Sequence, residues 1–272
     1  MTGVLSSRWD WYECTFDAID DGRVALKLAA ALGATMSIGK GRNGYASCEV
    51  LERDGGIVAQ VYGRSARAGE VHVTVTSDAC LTVVPILREL FPDHRVSRAD
   101  TAVDFRSDFD TLDAQALAFA ADRNLSHRLF TNSEGGATRY IGSARSETQL
   151  RVYKKSEQLR ALHPESAHEV PDGIVRCELV VKPGKRDLKL RLGHMSADDA
   201  WGMSKWSGEF SGLVMGFTPE RVPTHFRRPT DWQRALHFLG TQYAPSVAKR
   251  AEVVGAEQAA KELLGALGLS NV

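Results

Sequence analysis

Apolar and polar positions alternate with period two in three short runs, Tyr45–Glu52, Ile57–Tyr62 and Val71–Thr76. Successive side chains on a strand face opposite sides of a sheet, so each run predicts a strand with one buried face. The links between them are short and glycine-bearing (Asp54-Gly55-Gly56, Gly69), which suits antiparallel hairpins better than crossovers. Trp11–Phe16, Arg95–Phe105, Thr138–Ser143, Gln149–Tyr153 and Val175–Val181 are further strand runs. A 3.6-residue period predicts a helix over Gly22–Leu32, stopped by Gly33. A second spans Leu81–Phe91, with Asp78 as its cap and Pro85 early enough to be tolerated. A third lies near Leu112–Arg123, entered through Asp108–Asp110, and a fourth over Lys155–Leu162.

From about Pro183 the pattern turns helical, around Ala197–Trp206, Asp231–Gly240 and Ala256–Leu267. The middle one opens on Thr230-Asp-Trp-Gln233, a capping-box pattern behind Pro229. The expected fold class is α+β: a mainly antiparallel central sheet flanked by helices, with a helical C-terminal region. The boundary is expected near residue 185, separating a sheet-based domain (1–185) from a helical region (186–272). The sequence shows no internal repeat and no low-complexity tract.

Composition narrows the classes. With 43% hydrophobic and 25% charged residues in 272, the chain is neither fibrous nor disordered. Thirty-four basic residues balance thirty-four acidic ones, which excludes a uniformly basic coat but leaves local patches. The four cysteines (Cys14, Cys48, Cys80, Cys177) form no CxxC pair, so zinc ribbons and redox motifs are excluded and a reducing compartment is expected. The start of the chain lacks a leader pattern, and no run reaches the roughly 18 apolar residues of a membrane span. The expectation is a soluble, cytoplasmic protein.

Three constellations carry candidate chemistry. In Arg98-Ala-Asp100-Thr-Ala-Val-Asp104-Phe105, strand alternation puts Arg98, Asp100, Ala102 and Asp104 on one face. Two carboxylates there suit a hard divalent cation, or else form the wet face of a sheet with Arg98–Asp100 as an ion pair. Glu178 sits in an apolar strand with Arg176 two residues earlier, so it is paired with that arginine or bound to metal. In Thr138–Lys155 the same alternation aligns Gln149, Arg151, Tyr153 and Lys155. Six basic residues between Arg139 and Arg160 face only Glu147 and Glu157. Cations favour a phenolate, so Tyr153 is either a poised nucleophile or an ordinary cross-strand tyrosine.

Taken in order, R-x-D-x-x-x-D-F, then Y-I-G-S-x-x-S with R-x-Y-x-K, then R-x-E resemble the replication initiation factor family. These are the trans-acting rolling-circle replication initiators of plasmids and filamentous phages. Gly69–Thr76, the stretch through Leu87–Phe91 to Arg98, and Gln242-Tyr243 also resemble it, and the length is closer to the phage branch. The resemblance implies metal-dependent, site-specific nicking and joining of origin DNA through a 5′-phosphotyrosine, leaving a 3′-hydroxyl primer. It implies Tyr153 as nucleophile with Tyr140 as the second candidate, and Asp100, Asp104 and Glu178 as ligands of Mg2+ or Mn2+. Lys155, with Arg151 and Arg145, would contact the scissile phosphate, and Ser146 and Arg176 complete the DNA-contacting set. The expected partners are single-stranded or hairpin origin DNA and a host helicase and polymerase, without a membrane; a homodimer is compatible. The compartment implied is the bacterial host cytoplasm.

The sequence departs from better-known nickases, because none of its eight histidines forms H-x-H, and Lys154 stands where the family more often has an acidic or amide residue. Trp201, Trp206, Phe210 and Trp232 are either base-stacking or core aromatics. Lys182–Leu192, with five cations against Asp187, and residues 221–250, with six against Asp231, are candidate phosphate-contacting patches or solvated faces. Two other functions are compatible with the fold: a non-catalytic sequence-specific DNA-binding protein, and a metal-dependent nuclease that uses water. A small-molecule enzyme is disfavoured, since no Gly-rich nucleotide loop, G-x-S-x-G elbow or H-E-x-x-H helix is present.

Overall fold

The structure is a computed structural model that describes residues 7–16, 21–65, 69–133, 135–216, 219 and 243–266. Ten strands form one sheet: β1 Ser7–Phe16, β2 Thr35–Lys40, β3 Tyr45–Arg53, β4 Gly56–Ser65, β5 Val71–Thr76, β6 Arg95–Arg106, β7 His127–Thr131, β8 Ala137–Ile141, β9 Thr148–Lys154 and β10 Ile174–Val181. Their order is β2-β3-β4-β5-β1-β6-β10-β9-β8-β7, and every pair is antiparallel. The order contains the same path twice. A central strand (β1 or β6) is followed by a helix, then by three strands running inward from the sheet edge, and then by a strand returning beside the central one (β5 or β10). A further helix comes next in both halves, α2 Ala79–Leu90 or α5 Arg186–His194.

The first helices of the two halves are α1 Asp21–Leu32 and α3 Phe109–Asp122. With α2 and α5 they bury Leu28, Val83, Leu87, Ala116, Phe119, Leu188 and Leu192 against the inward side chains of the strands, among them Cys14, Val61, Val73, Val103, Val152, Cys177 and Leu179. All four cysteines are buried and unbridged. Gly33 ends α1 at φ +61°, where a side chain would be strained. The carboxylate of Asp108 caps α3 by accepting from the Thr111 N–H (2.9 Å), whereas Asp78 starts α2 without any side-chain cap.

Two edge strands, β2 and β7, were absent from the sequence-based expectation. Nearly all their residues are exposed; β7 shows no alternation of polarity, and that of β2 is confined to Thr35-Met36-Ser37-Ile38. The sheet-based unit also extends past residue 185. The chain divides into compact units Met1–Val222 and Pro223–Val272. Leu188, Leu192, Trp201 and Phe210 belong to the core under the sheet, which is why the first unit does not end with β10. Here a 3-10 turn, Asp199–Met203, precedes a short helix, α6 Lys205–Phe210. In the second unit, α7 Ala244–Val254 and α8 Ala256–Ala266 are joined by an Arg250–Glu262 ion pair at 2.9 Å. The expected helix Asp231–Gly240, its Thr230–Gln233 cap, Trp232 and Gln242 lie outside the described residues, as does most of the 221–250 patch.

Candidate active site

The face of the sheet opposite these helices is polar over β6, β10, β9 and β8, and the register decides which charges meet. Arg176 lies opposite Asp104 on β6 and Tyr153 on β9. Glu178 lies opposite Arg151, and Arg151 in turn lies opposite Tyr140. Candidates from three distant stretches of sequence thus share one surface.

Their pairing differs from the expected one. Arg176 does not turn to Glu178 on its own strand. Its Nε and Nη2 donate to Asp104 (2.6 and 2.9 Å) and its Nη1 donates to Asp10 at 2.6 Å. At 1% exposure, with its nitrogens committed to carboxylates, Arg176 ties three strands together and is not presented to a DNA phosphate as expected. Glu178 instead accepts from Arg151 Nη1 (2.7 Å) and from the Tyr153 hydroxyl (2.9 Å). Arg98 and Asp100 form the expected two-pronged ion pair, and Arg151 lies 3.9 Å from Asp100. Burial outweighs both arginines at Asp100, and its carboxyl is pushed up to about 6.

Tyr153 is only 7% exposed, and its surroundings invert the expected electrostatics. Burial first, then the Glu178 carboxylate, push the phenol above its ordinary range, while Arg176 opposes them. The neighbours therefore hold Tyr153 protonated, with its proton directed at a carboxylate. Lys155 donates to Gln158 Oε1 (2.8 Å) and lies 5.9 Å from the centre of the Tyr153 ring. Burial, then Arg176, lower its ammonium pKa.

Above these residues opens a cleft of about 840 Å³, floored by Tyr140, Arg151, Tyr153 and Glu178. One wall is α4, Lys155–Leu162, which contributes Glu157, Gln158, Arg160, Ala161 and Leu162; another includes Phe130 of β7. α4 is anchored by Ser156, whose hydroxyl donates to Pro171 O (2.6 Å) and accepts from the Ile174 N–H. At the end of β8, Gly142 turns the chain at φ +85° and donates to Ser126 O, and a Cβ there would meet Thr148 O at 3.1 Å. Arg145 and Ser146 follow in this turn, both exposed, and neither lines the cleft.

Among the described residues, no group of three His, Cys, Asp or Glu side chains is close enough to hold a metal ion. Asp100, Asp104 and Glu178 share the face, but each is turned to a guanidinium. As placed, these carboxylates do not fit the expected Mg2+ or Mn2+ site. Arg139, counted among the local cations, is on the helix-covered face in a two-pronged pair with Asp113 of α3 (2.7 Å). Trp201 and Phe210 are core, whereas Phe130, absent from the candidates, is an exposed aromatic at the cleft. The cue to it was a lone aromatic in a short polar stretch ahead of Thr138.

No protein-family model matches the chain, and no curated protein matches it significantly. Among solved structures it superposes on a rolling circle replication initiator protein from Geobacillus stearothermophilus, with a TM-score of 0.51 and 20% identity, over 88% of this chain and 96% of that one. In fold, the chain is similar to a rolling-circle replication initiator. At that identity the likeness speaks for the fold. The match spans nearly the whole initiator chain. No helix among the described residues is long and apolar enough to cross a membrane.

Proposed function

We propose that this chain initiates rolling-circle replication by cutting and rejoining one strand of origin DNA with a tyrosine hydroxyl. The observation that carries the reading is the Tyr153 hydroxyl bonded to Glu178 on the floor of an open cleft, next to Arg151 and Tyr140, in a chain with an initiator's fold. The Tyr153 oxygen attacks the scissile phosphorus, forming an O–P bond as the P–O3′ bond breaks. The tyrosine proton passes to Glu178 Oε2 and ends on the departing 3′-oxygen, so a carboxylate base takes the place of a pre-formed phenolate. Arg151 is the cation nearest this pair and would hold a non-bridging phosphate oxygen. The reverse transfer rejoins the strand without ATP. The 3′-hydroxyl is the primer for a host polymerase, and unwinding falls to a host helicase.

The test is mass spectrometry after incubation with single-stranded oligonucleotides tiling the replicon around its coding sequence, run with Mn2+, with Mg2+ and with chelator. An SDS-resistant adduct on Tyr153 is expected, and the chelator arm reads the dependence on a divalent cation. An adduct on Tyr140 would move the nucleophile one strand over. The absence of any adduct would overturn strand transfer. The burial of Tyr153 favours one competing reading, a non-catalytic origin-binding protein on the same fold, which gives specific binding and no adduct.

A further inference from the structure

β7 is an edge strand with every residue exposed, yet its Arg128 and Phe130 form an organised array with Tyr140 of β8. Phe130, 58% exposed, stands edge-on to Tyr140 with ring centres 5.7 Å apart. The Arg128 guanidinium lies 4.7 Å from the Tyr140 ring centre and 5.5 Å from that of Phe130. An apolar ring left in water on a sheet edge costs solubility and invites strand pairing, so its placement needs a reason. Past this array, in the direction away from the cleft, is a second hollow of about 390 Å³. It is lined by Ser126–Arg128 and Gly142–Arg145, and no acid is among them. An aromatic platform followed by an acid-free hollow with two arginines is complementary to one repeat unit of single-stranded nucleic acid, a flat base and its phosphate.

We infer that β7 is the single-strand platform of this protein: an unpaired base stacks on Phe130, and the adjoining phosphate sits between Arg128 and Arg145. The inference rests on the strand-transfer reading, because it names where the strand leaving the cleft is held. A duplex base pair presents only its edges, and stacking on Phe130 requires an open base face. The platform therefore selects melted DNA without reading its sequence.

The test is fluorescence anisotropy with two probes, labelled dT20 and a labelled 20-base-pair duplex of mixed sequence, using the full chain. The wild type is expected to prefer dT20. Phe130→Ala is expected to weaken dT20 binding about tenfold, the worth of one base–aromatic stack, while the duplex is unaffected. Phe130→Trp should keep the preference, which separates a lost ring from a damaged strand. The double change Arg128→Gln with Arg145→Gln should flatten the salt dependence on dT20 by about one phosphate, roughly 0.7 in the log–log slope. Wild-type dT20 affinity in Phe130→Ala, or equal losses on both probes, would overturn the platform. A Phe130-dependent preference without any tyrosine adduct would sink strand transfer and leave the platform standing. An adduct with Phe130-independent dT20 binding would do the reverse.

Discussion

The two halves of the sheet, β1–β5 and β6–β10, follow one path and differ in what they place on the polar face. In the first half the face is knitted by rings: Tyr45 stacks on His72 at 5.6 Å, and Tyr62 lies 6.0 Å from the same imidazole. Burial lowers the His72 pKa, so the ring is held neutral. In the second half the same layer holds Arg98, Asp100, Asp104, Arg151, Arg176 and Glu178 as interlocked ion pairs. The connection to the returning strand differs as well. β4 reaches β5 across residues 66–70, while β9 reaches β10 through α4 and the 3-10 segment Pro164–Glu169. That longer connection supplies the wall of the cleft. One scaffold repeated twice can dedicate one copy to packing and the other to a charged, open site.

The comparison can be broken at several depths. The largest effect is expected from Tyr153→Phe, which should reduce the SDS-resistant adduct to background, whereas Tyr62→Phe, the ring of the silent half, should leave it intact. A Tyr62 variant that loses the adduct would place chemistry in both halves. Next, Arg176→Met should lower stability by about 3–5 kcal/mol, because Asp104 and Asp10 lose their buried partner. Thr74→Val, which loses only a hydrogen bond to His72 (3.2 Å), should cost about 1 kcal/mol. Urea midpoints followed by circular dichroism compare the two, and equal costs would deny the ion-pair lattice its structural role.

A smaller effect depends on pH. Asp100 has a carboxyl raised to about 6, so the folded chain holds its proton between the ordinary carboxylate value and about 6, where the unfolded chain has released it. Its contribution is therefore full in acid and is lost as pH rises through about 6. Asp100→Asn should make the fall in melting temperature between pH 4 and 7 shallower than in the wild type. An unchanged slope would show that Arg98 keeps Asp100 ionised throughout. The smallest effect is at the other edge: Ile38→Ser on β2, 96% exposed, should change stability by under about 0.5 kcal/mol and leave dT20 binding untouched. A loss there comparable to Phe130→Ala would make the two edges equivalent.

Much of the scaffold was legible in the sequence. Strands with one buried face announced themselves by alternation, as at Val71–Thr76, and α4 begins and ends where its pattern predicts, Lys155–Leu162. The motifs around Asp100, Tyr153 and Glu178 did share one face. Their partners were not legible. Arg176 is two residues from Glu178 along its strand, yet it bonds Asp104, 72 positions away, because cross-strand register brings that carboxylate closer to its guanidinium. The same register hands Tyr153 to a carboxylate, which reverses the sign of its expected activation. β7 left no trace because an edge strand exposed on both faces needs no polar–apolar rhythm, and in β2 that rhythm lasts only from Thr35 to Ile38.

The sequence by itself determined most of the strands and helices and which residues are candidates for the chemistry, since burial and turn geometry act on neighbours a few positions apart. Only the tertiary structure decided the doubled path of the sheet, the exchange of partners among its charges and the opening of a cleft over the second half. Those depend on which strands lie side by side, and residues paired side by side here are up to 96 positions apart (Ser7 with Val103), beyond the reach of any local pattern.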